Sequence, residues 1–348
     1  MEWLEQRTIF KCRHGSHAYG TNQPGSDLDI KGIAIPPREY ILGAFKRFEQ
    51  AQSHSAELDQ EIFDLRKFVD LAADCNPNMI EILFVDQSDW MQCSDAFMML
   101  YEIRDAFLSR VAKHRFSGYA IGQLKKIQSH RTWLLDPPRH KPERAEFGLP
   151  EHTGLMPKAD VEAAMAMIRK QVDRWDVPLD ELRDSEKIAV KDRIALALTE
   201  MKIADQTETA ARALGMTDNL VEAVAREKRY QSAMHHWTSY QQWLKTRNPK
   251  RLELEQKSGY DTKHGMHLVR LMRMAREILT TGQVLVRRPD AAELLEIRNG
   301  SWSYEKLLDW AQTQDKELGE IYKTSPLPRQ ADREKIDAVV VKMIEAYL

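Results

Sequence analysis

A chain of 348 residues is long enough to bury a sizeable core without staples, and its 51 Lys and Arg so nearly cancel its 53 Asp and Glu that global charge selects no partner. Its three cysteines, Cys12, Cys75 and Cys93, are odd in number and lack paired or metal-ligand spacing, which argues against a disulfide framework and for reduced thiols in a cytoplasm-like compartment. Met1-Glu2-Trp3-Leu4-Glu5 is acidic where a secretory leader is basic, and no apolar run reaches the roughly 18 residues of a membrane span, so a soluble cytoplasmic protein without a membrane partner is expected.

The first hundred residues mix strand and helix signals. Thr8-Ile9-Phe10-Lys11-Cys12 reads as a strand, residues 28–35 as a second bounded by Pro36-Pro37, and Ile62-Phe63 as part of a third. Leu65, Phe68, Val69 and Ala72 then recur at helical spacing, with Asp64 as the N-cap and Asn76-Pro77-Asn78 as the stop; an apolar run restarts over residues 79–85. Beyond about residue 100 the spacing becomes helical, predicting helices over residues 97–129, 158–174, 186–214, 218–246, 263–281, 303–318 and 331–347. A Pro-rich stretch over residues 133–158 interrupts them as a loop. His235-His236-Trp237 and the pairs Met165, Met167 and Met272, Met274 read as packing. The expected fold class is α+β: a small head over residues 1–100 with a mixed β-sheet and flanking helices, followed by a mostly α-helical domain over residues 101–348.

The chemistry concentrates between the first two strands. Gly15-Ser16-His17-Ala18-Tyr19-Gly20-Thr21 follows the first strand, the turn Asn22-Gln23-Pro24-Gly25 comes next, and Ser26-Asp27-Leu28-Asp29 opens the second. Gly15 lets the backbone approach a phosphate, and Ser16 offers a hydroxyl and a main-chain N–H at the start of a short helix, where anions are favoured. Asp27 and Asp29, two apart on a strand, project to one face. Paired hard carboxylates suit Mg2+ or Mn2+, and two such ions can stabilise the attacking and leaving oxygens of a phosphoryl displacement. A lone Gly-Ser is usually a turn and a lone Asp-x-Asp a solvated strand end; the information lies in their order.

In that order the sequence resembles the nucleotidyltransferases of the DNA polymerase beta superfamily, whose signature is a Gly-Ser followed by an Asp-x-Asp pair. The resemblance implies a third carboxylate from a neighbouring strand that holds a metal and helps to deprotonate an attacking hydroxyl. Asp59 and Glu61 both qualify, lying on one face of the third strand; the resemblance favours Asp59 and leaves Glu61 open. Leu65 to Phe68, Asn76-Pro77, Glu81-Ile82-Leu83-Phe84 and, far downstream, the stretch from Tyr260 to Leu271 with Arg288-Pro289, Ile297-Arg298-Asn299-Gly300 and Trp302-Ser303-Tyr304 resemble one branch of that superfamily, the RNA-repair-pathway polymerase beta family. The resemblance runs from about residue 10 to about residue 310 and is patchy between residues 90 and 255.

Lys263, His267 and Arg270, at spacings of four and three, share a helix face that can hold the negative charge of a triphosphate or an RNA phosphate; the bland alternative is a solvated basic face over Leu268 and Leu271. A metal pair at His264 and His267 has no third ligand in sequence, so a phosphohydrolase centre carries little weight. Lys125-Lys126, His130-Arg131-Thr132-Trp133 and Arg139-His140-Lys141 form a second basic concentration, read either as a phosphate track with Trp133 as a stacking face or as a helix end with Trp133 buried. The expected activity is transfer of a nucleoside monophosphate from an NTP such as ATP to a hydroxyl of an RNA or tRNA-like end, releasing pyrophosphate. Nucleotidylation of a protein or small molecule, and a catalytically inactive nucleotide- or RNA-binding regulator, are the alternatives; oligomeric state has no signature in the sequence.

Overall fold

A computed structural model of the chain describes residues 2–54, 58–151, 218–246 and 249–348. It comprises two compact units, one of Met1–Asp136 with Asn248–Leu348 and the other of Pro137–Arg247. The expected boundary near residue 100 falls inside the first unit.

The first unit opens with a short helix, α1 (Trp3–Arg7), and strand β1 (Thr8–His14), then α2 (Gly15–Tyr19), β2 (Leu28–Ala34), α3 (Arg38–Ile41), β3 (Gln50–His54) and β4 (Leu58–Asp64). Helices α4 (Leu65–Ala73) and α5 (Pro77–Phe84), strand β5 (Trp90–Cys93), and helices α6 (Asp95–Glu102) and α7 (Val111–Leu135) follow. The five strands form one mixed sheet in the order β3-β4-β2-β1-β5. β1 runs antiparallel to β2 and β5, β3 runs antiparallel to β4, and β2 and β4 are parallel. This is the α+β architecture expected, but β3 and β5 were not expected. Both are edge strands: Gln-Ala-Gln-Ser-His has no apolar alternation and Trp-Met-Gln-Cys is only one turn of pleat long, so neither carries the signal of a buried strand.

The caps follow the sequence. The Asp64 carboxylate accepts from the N–H groups of Arg66 and Lys67 at the start of α4, and Asn76 accepts from Asn78 N–H ahead of Pro77, the first residue of α5. The helix expected over residues 97–129 is instead two, α6 and α7. A 3-10 turn at Arg104–Phe107 separates them and sinks Phe107 fully into the core, a tertiary break that no Gly or Pro announces. α7 then runs on to Leu135, into the stretch expected to be loop.

Helices α9 (Pro249–Ser258), α10 (Thr262–Thr281), α11 (Ala291–Arg298), α12 (Tyr304–Thr324) and α13 (Arg333–Glu345) complete the first unit; between α7 and α9, in the second unit, lies α8 (Asp218–Thr246). The helices expected over 158–174 and 186–214 lie outside the described residues. In the second unit Arg144 binds Glu227 through both guanidinium nitrogens, at 3.1 and 2.9 Å. His235 and His236 on α8 are exposed rather than part of a core, beside half-buried Trp237.

One hydrophobic core ties the sheet to the C-terminal helices. Ile9, Ile33 and Phe63 of the strands join Ile80 of α5, Phe116 of α7, and Leu268 and Ile278 of α10. α10 buries twelve of its twenty residues, Met272 and Met274 among them, and each fully buried large side chain contributes about 1.5–3 kcal/mol. The three cysteines are free, and among the described residues no helix is long and apolar enough to cross a membrane.

Candidate active site

Parallel pairing of β2 with β4 sets the site. Its register places Asp29 opposite Asp59, Lys31 opposite Glu61 and Ile33 opposite Phe63, so one face of this strand pair descends from two carboxylates through an ion pair into the core. Glu61 is fully engaged: Lys31 Nζ donates to one oxygen at 2.6 Å, and Gln50 and Gln52 donate to the other at 2.9 and 2.6 Å. Asp59 and Asp27 add their negative charges to that of Asp29. Burial pushes the Asp29 carboxyl up from its ordinary value, His14 and Lys31 pull it down, and Asp59 and Asp27 push it up further. Three carboxylates that repel one another at the mouth of a strand pair form a donor set suited to a hard divalent cation.

Gly15 closes this centre from the side of β1. Its φ is +62°, and a Cβ built on it would lie 1.9 Å from Asp29 Oδ2. The backbone therefore touches the carboxylate where any side chain would collide. Ser16 follows in α2, and Ser26 fixes the intervening turn by accepting from Gln23 N–H at 2.9 Å.

Gly15, Ser16, Asp27 and Asp29 of the head line a cleft of about 930 Å3 together with Lys263, His267 and Arg270 from α10; Asp59 and Glu61 are not among its lining residues. That volume lies in the range of small-molecule and nucleotide sites. The face anticipated on α10 thus meets the head, but its three members differ in character. Burial, then the charges of Arg270 and Lys263, push the His267 imidazole well below its ordinary value, so it is neutral. Arg270 is buried: Nη1 binds Glu81, the guanidinium lies 3.8 Å over the Tyr19 ring, and Nε makes no hydrogen bond among the described residues. Lys263 lines the cleft, half-buried, in the first turn of α10.

Glu81 is the hub beneath the cleft and was not singled out from sequence. It accepts from Tyr19 Oη at 2.6 Å, lies 3.3 Å from His14 Nε2 and pairs with Arg270. Burial alone would raise its carboxyl, but Arg270, then His14 and Tyr19, outweigh that effect and hold it at about 2. A fully buried charge in an apolar run is the signal that would have marked it. Lys31, Lys126 and Arg298 also line the cleft and add positive charge that the sequence reading did not assign there. Of the second basic concentration, Trp133 is 7% exposed and packs on His130, and Arg131 donates to Gly259 O at 2.7 Å, so these two are structural.

Residues 2–135 match the model of the RNA repair pathway DNA polymerase beta family. The match spans the whole sheet and α7, and so contains Gly15, Ser16, Asp27, Asp29, Asp59 and Glu61; the resemblance noted around Lys263, His267 and Arg270 lies beyond it. An uncharacterized 38.9 kDa protein from the nrdC-mobD intergenic region of Enterobacteria phage T4 is 30% identical over 133 residues, a match that covers 34% of this chain and 38% of that protein. The similarity to that relative therefore spans well under half its length. No solved structure matches the chain.

Proposed function

We propose that this protein is a metal-dependent nucleotidyltransferase that moves a nucleoside monophosphate from an NTP to a hydroxyl acceptor, with an RNA end as the preferred acceptor. The observation that carries the reading is the pairing of Asp29 with Asp59 across β2 and β4, with Gly15 pressed against Asp29 at the mouth of a cleft. The family description of residues 2–135 supports the reaction class and, through its mention of RNA repair, the acceptor.

Asp27, Asp29 and Asp59 would hold Mg2+ or Mn2+, which when bound neutralises charge on the triphosphate and on the attacking oxygen. The chain's own groups then have distinct tasks. Asp59, which faces Asp29 where Glu61 faces Lys31, accepts the proton of the acceptor hydroxyl as its oxygen bonds to the α-phosphorus and the α–β anhydride breaks, releasing pyrophosphate. The Gly15-Ser16 backbone and the Ser16 hydroxyl orient the triphosphate, Lys263 neutralises it, and neutral His267 donates one hydrogen bond. Arg270 positions the floor through Glu81 and Tyr19. The basic residues Lys126 and Arg298 on the cleft wall suit a polyanionic acceptor.

The test is to incubate purified protein with each radiolabelled NTP, with Mg2+ or Mn2+, and with separate pools of RNA, protein and metabolites. Label entering RNA and lost in the Asp27→Ala, Asp29→Ala double variant is the expected result. Label entering only protein or metabolites would overturn the acceptor, and labelling retained by the double variant would overturn the site.

A further inference from the structure

Helix α10 begins with a cluster that the transfer reaction does not use. Asp261, its N-cap, accepts from His264 N–H through Oδ1 at 3.1 Å, which leaves Oδ2 turned toward two imidazoles. His130 Nδ1, from α7, lies 3.4 Å from that oxygen and His264 Nε2 lies 3.5 Å from it. The three ligand atoms all lie within 4.8 Å of one another. A tetrahedral zinc with N and O ligands at about 2.0–2.1 Å separates adjacent ligand atoms by roughly 3.3 Å. Two of the three edges already have nearly that length.

The tautomer of His264 sharpens the point. Its Nδ1 lies 2.6 Å from Gln123 Oε1. An amide oxygen only accepts, so Nδ1 carries the proton and Nε2 presents a lone pair to the Asp261 carboxylate. Two lone pairs facing each other in a half-buried site repel unless a cation lies between them. An imidazole whose far N–H is held by an oxygen acceptor while its near nitrogen faces a carboxylate is the outer-shell arrangement of metal-ligating histidines.

We propose that His130, Asp261 and His264 form a second cation site, for zinc or a similar borderline divalent ion, that clips α7 to the first turn of α10 at the edge of the cleft. Two imidazoles and one carboxylate select such an ion over magnesium, which prefers an all-oxygen shell. Three protein ligands leave a fourth position for water or a ligand oxygen, and Asp261 and His264 both line the cleft. The third ligand missing from the sequence reading of His264 and His267 thus comes from another helix, and His267 is not part of the set. The site does not depend on the transfer reaction.

Chelator-stripped full-length protein, titrated with Zn2+ against a chromogenic chelator in excess Mg2+, should bind one equivalent, and Co2+ should give the visible absorption of a tetrahedral site. Gln123→Ala should weaken zinc by about 10–100-fold, as outer-shell changes do, and His264→Ala by more. Asp261→Asn keeps the cap acceptor but loses the ligand charge, and should lose zinc while circular dichroism stays unchanged. The Asp27→Ala, Asp29→Ala variant should bind zinc as the wild type does. Absence of stoichiometric zinc on folded wild-type protein, zinc retained by both His264→Ala and Asp261→Asn, or zinc lost from the Asp27, Asp29 variant would each overturn the site.

Discussion

Gly15 has no room for a side chain, because the Asp29 carboxylate already occupies the place a Cβ would take. A Cβ 1.9 Å from the carboxylate at a φ of +62° adds backbone strain to a direct clash. Gly15→Ala should therefore cost about 1–3 kcal/mol in urea denaturation, and by displacing Asp29 should lower nucleotidyl transfer by ~10²-fold or more. Asp29→Asn should behave differently. It removes a charge that burial and two neighbouring carboxylates already disfavour, so its thermal midpoint should not fall while transfer activity is lost. Spacing alone did not separate Asp59 from Glu61, and only the family resemblance favoured Asp59. A period of two puts both on one face, and spacing carries nothing of the register against β2, which sets Lys31 opposite Glu61 and Asp29 opposite Asp59.

Elements that were legible carry their signals within a few residues. β2 is bracketed by Asp27 and the Pro36-Pro37 pair, and α4 begins at a cap, Asp64, whose carboxylate takes two backbone N–H groups. Asp64→Ala should cost about 0.5–2 kcal/mol in chemical denaturation. Elements that were not legible are made by partners distant in sequence. β3 and β5 are strands only because β4 and β1 offer them an edge, and the split of α6 from α7 is made by Phe107 entering the core. The cleft divides in the same way: Gly15, Ser16, Asp27 and Asp29 could be read together from one stretch, whereas Glu81 needed His14, Tyr19 and Arg270 around it before its role was visible. Glu81→Ala leaves the Arg270 guanidinium buried without its partner and should destabilise the first unit by about 3–5 kcal/mol, measured by urea unfolding. Glu81→Leu combined with Arg270→Met should recover most of that loss, since a well-packed apolar pair replaces two desolvated charges.

At the scale of the molecule these groups set an acid limit. Burial first, against the pull of Asp261, pushes His264 from 6.5 down to about 4, so the unfolded chain takes up that proton more readily, and stability falls as pH drops from about 6.5 toward 4. Glu81 at about 2 against an ordinary 4.5, and Asp261 at about 2 against 3.8, contribute stability that is complete above those ordinary values and disappears as pH falls toward 2. Urea midpoints of the metal-free protein should therefore be level between about pH 7 and 8 and decline on acidification in two stages; a midpoint that rises between pH 7 and 4 would contradict these assignments. The pairing of Glu81 with Arg270 also has a meaning in time. They are 189 residues apart, so at about 5–20 residues per second a ribosome makes Glu81 roughly 10–40 s before its counter-ion. Throughout that interval the nascent head carries a carboxylate built for a partner that does not yet exist. The strands that carry Asp29 and Asp59 are thus made well before the helix whose Arg270 balances the carboxylate beneath the cleft.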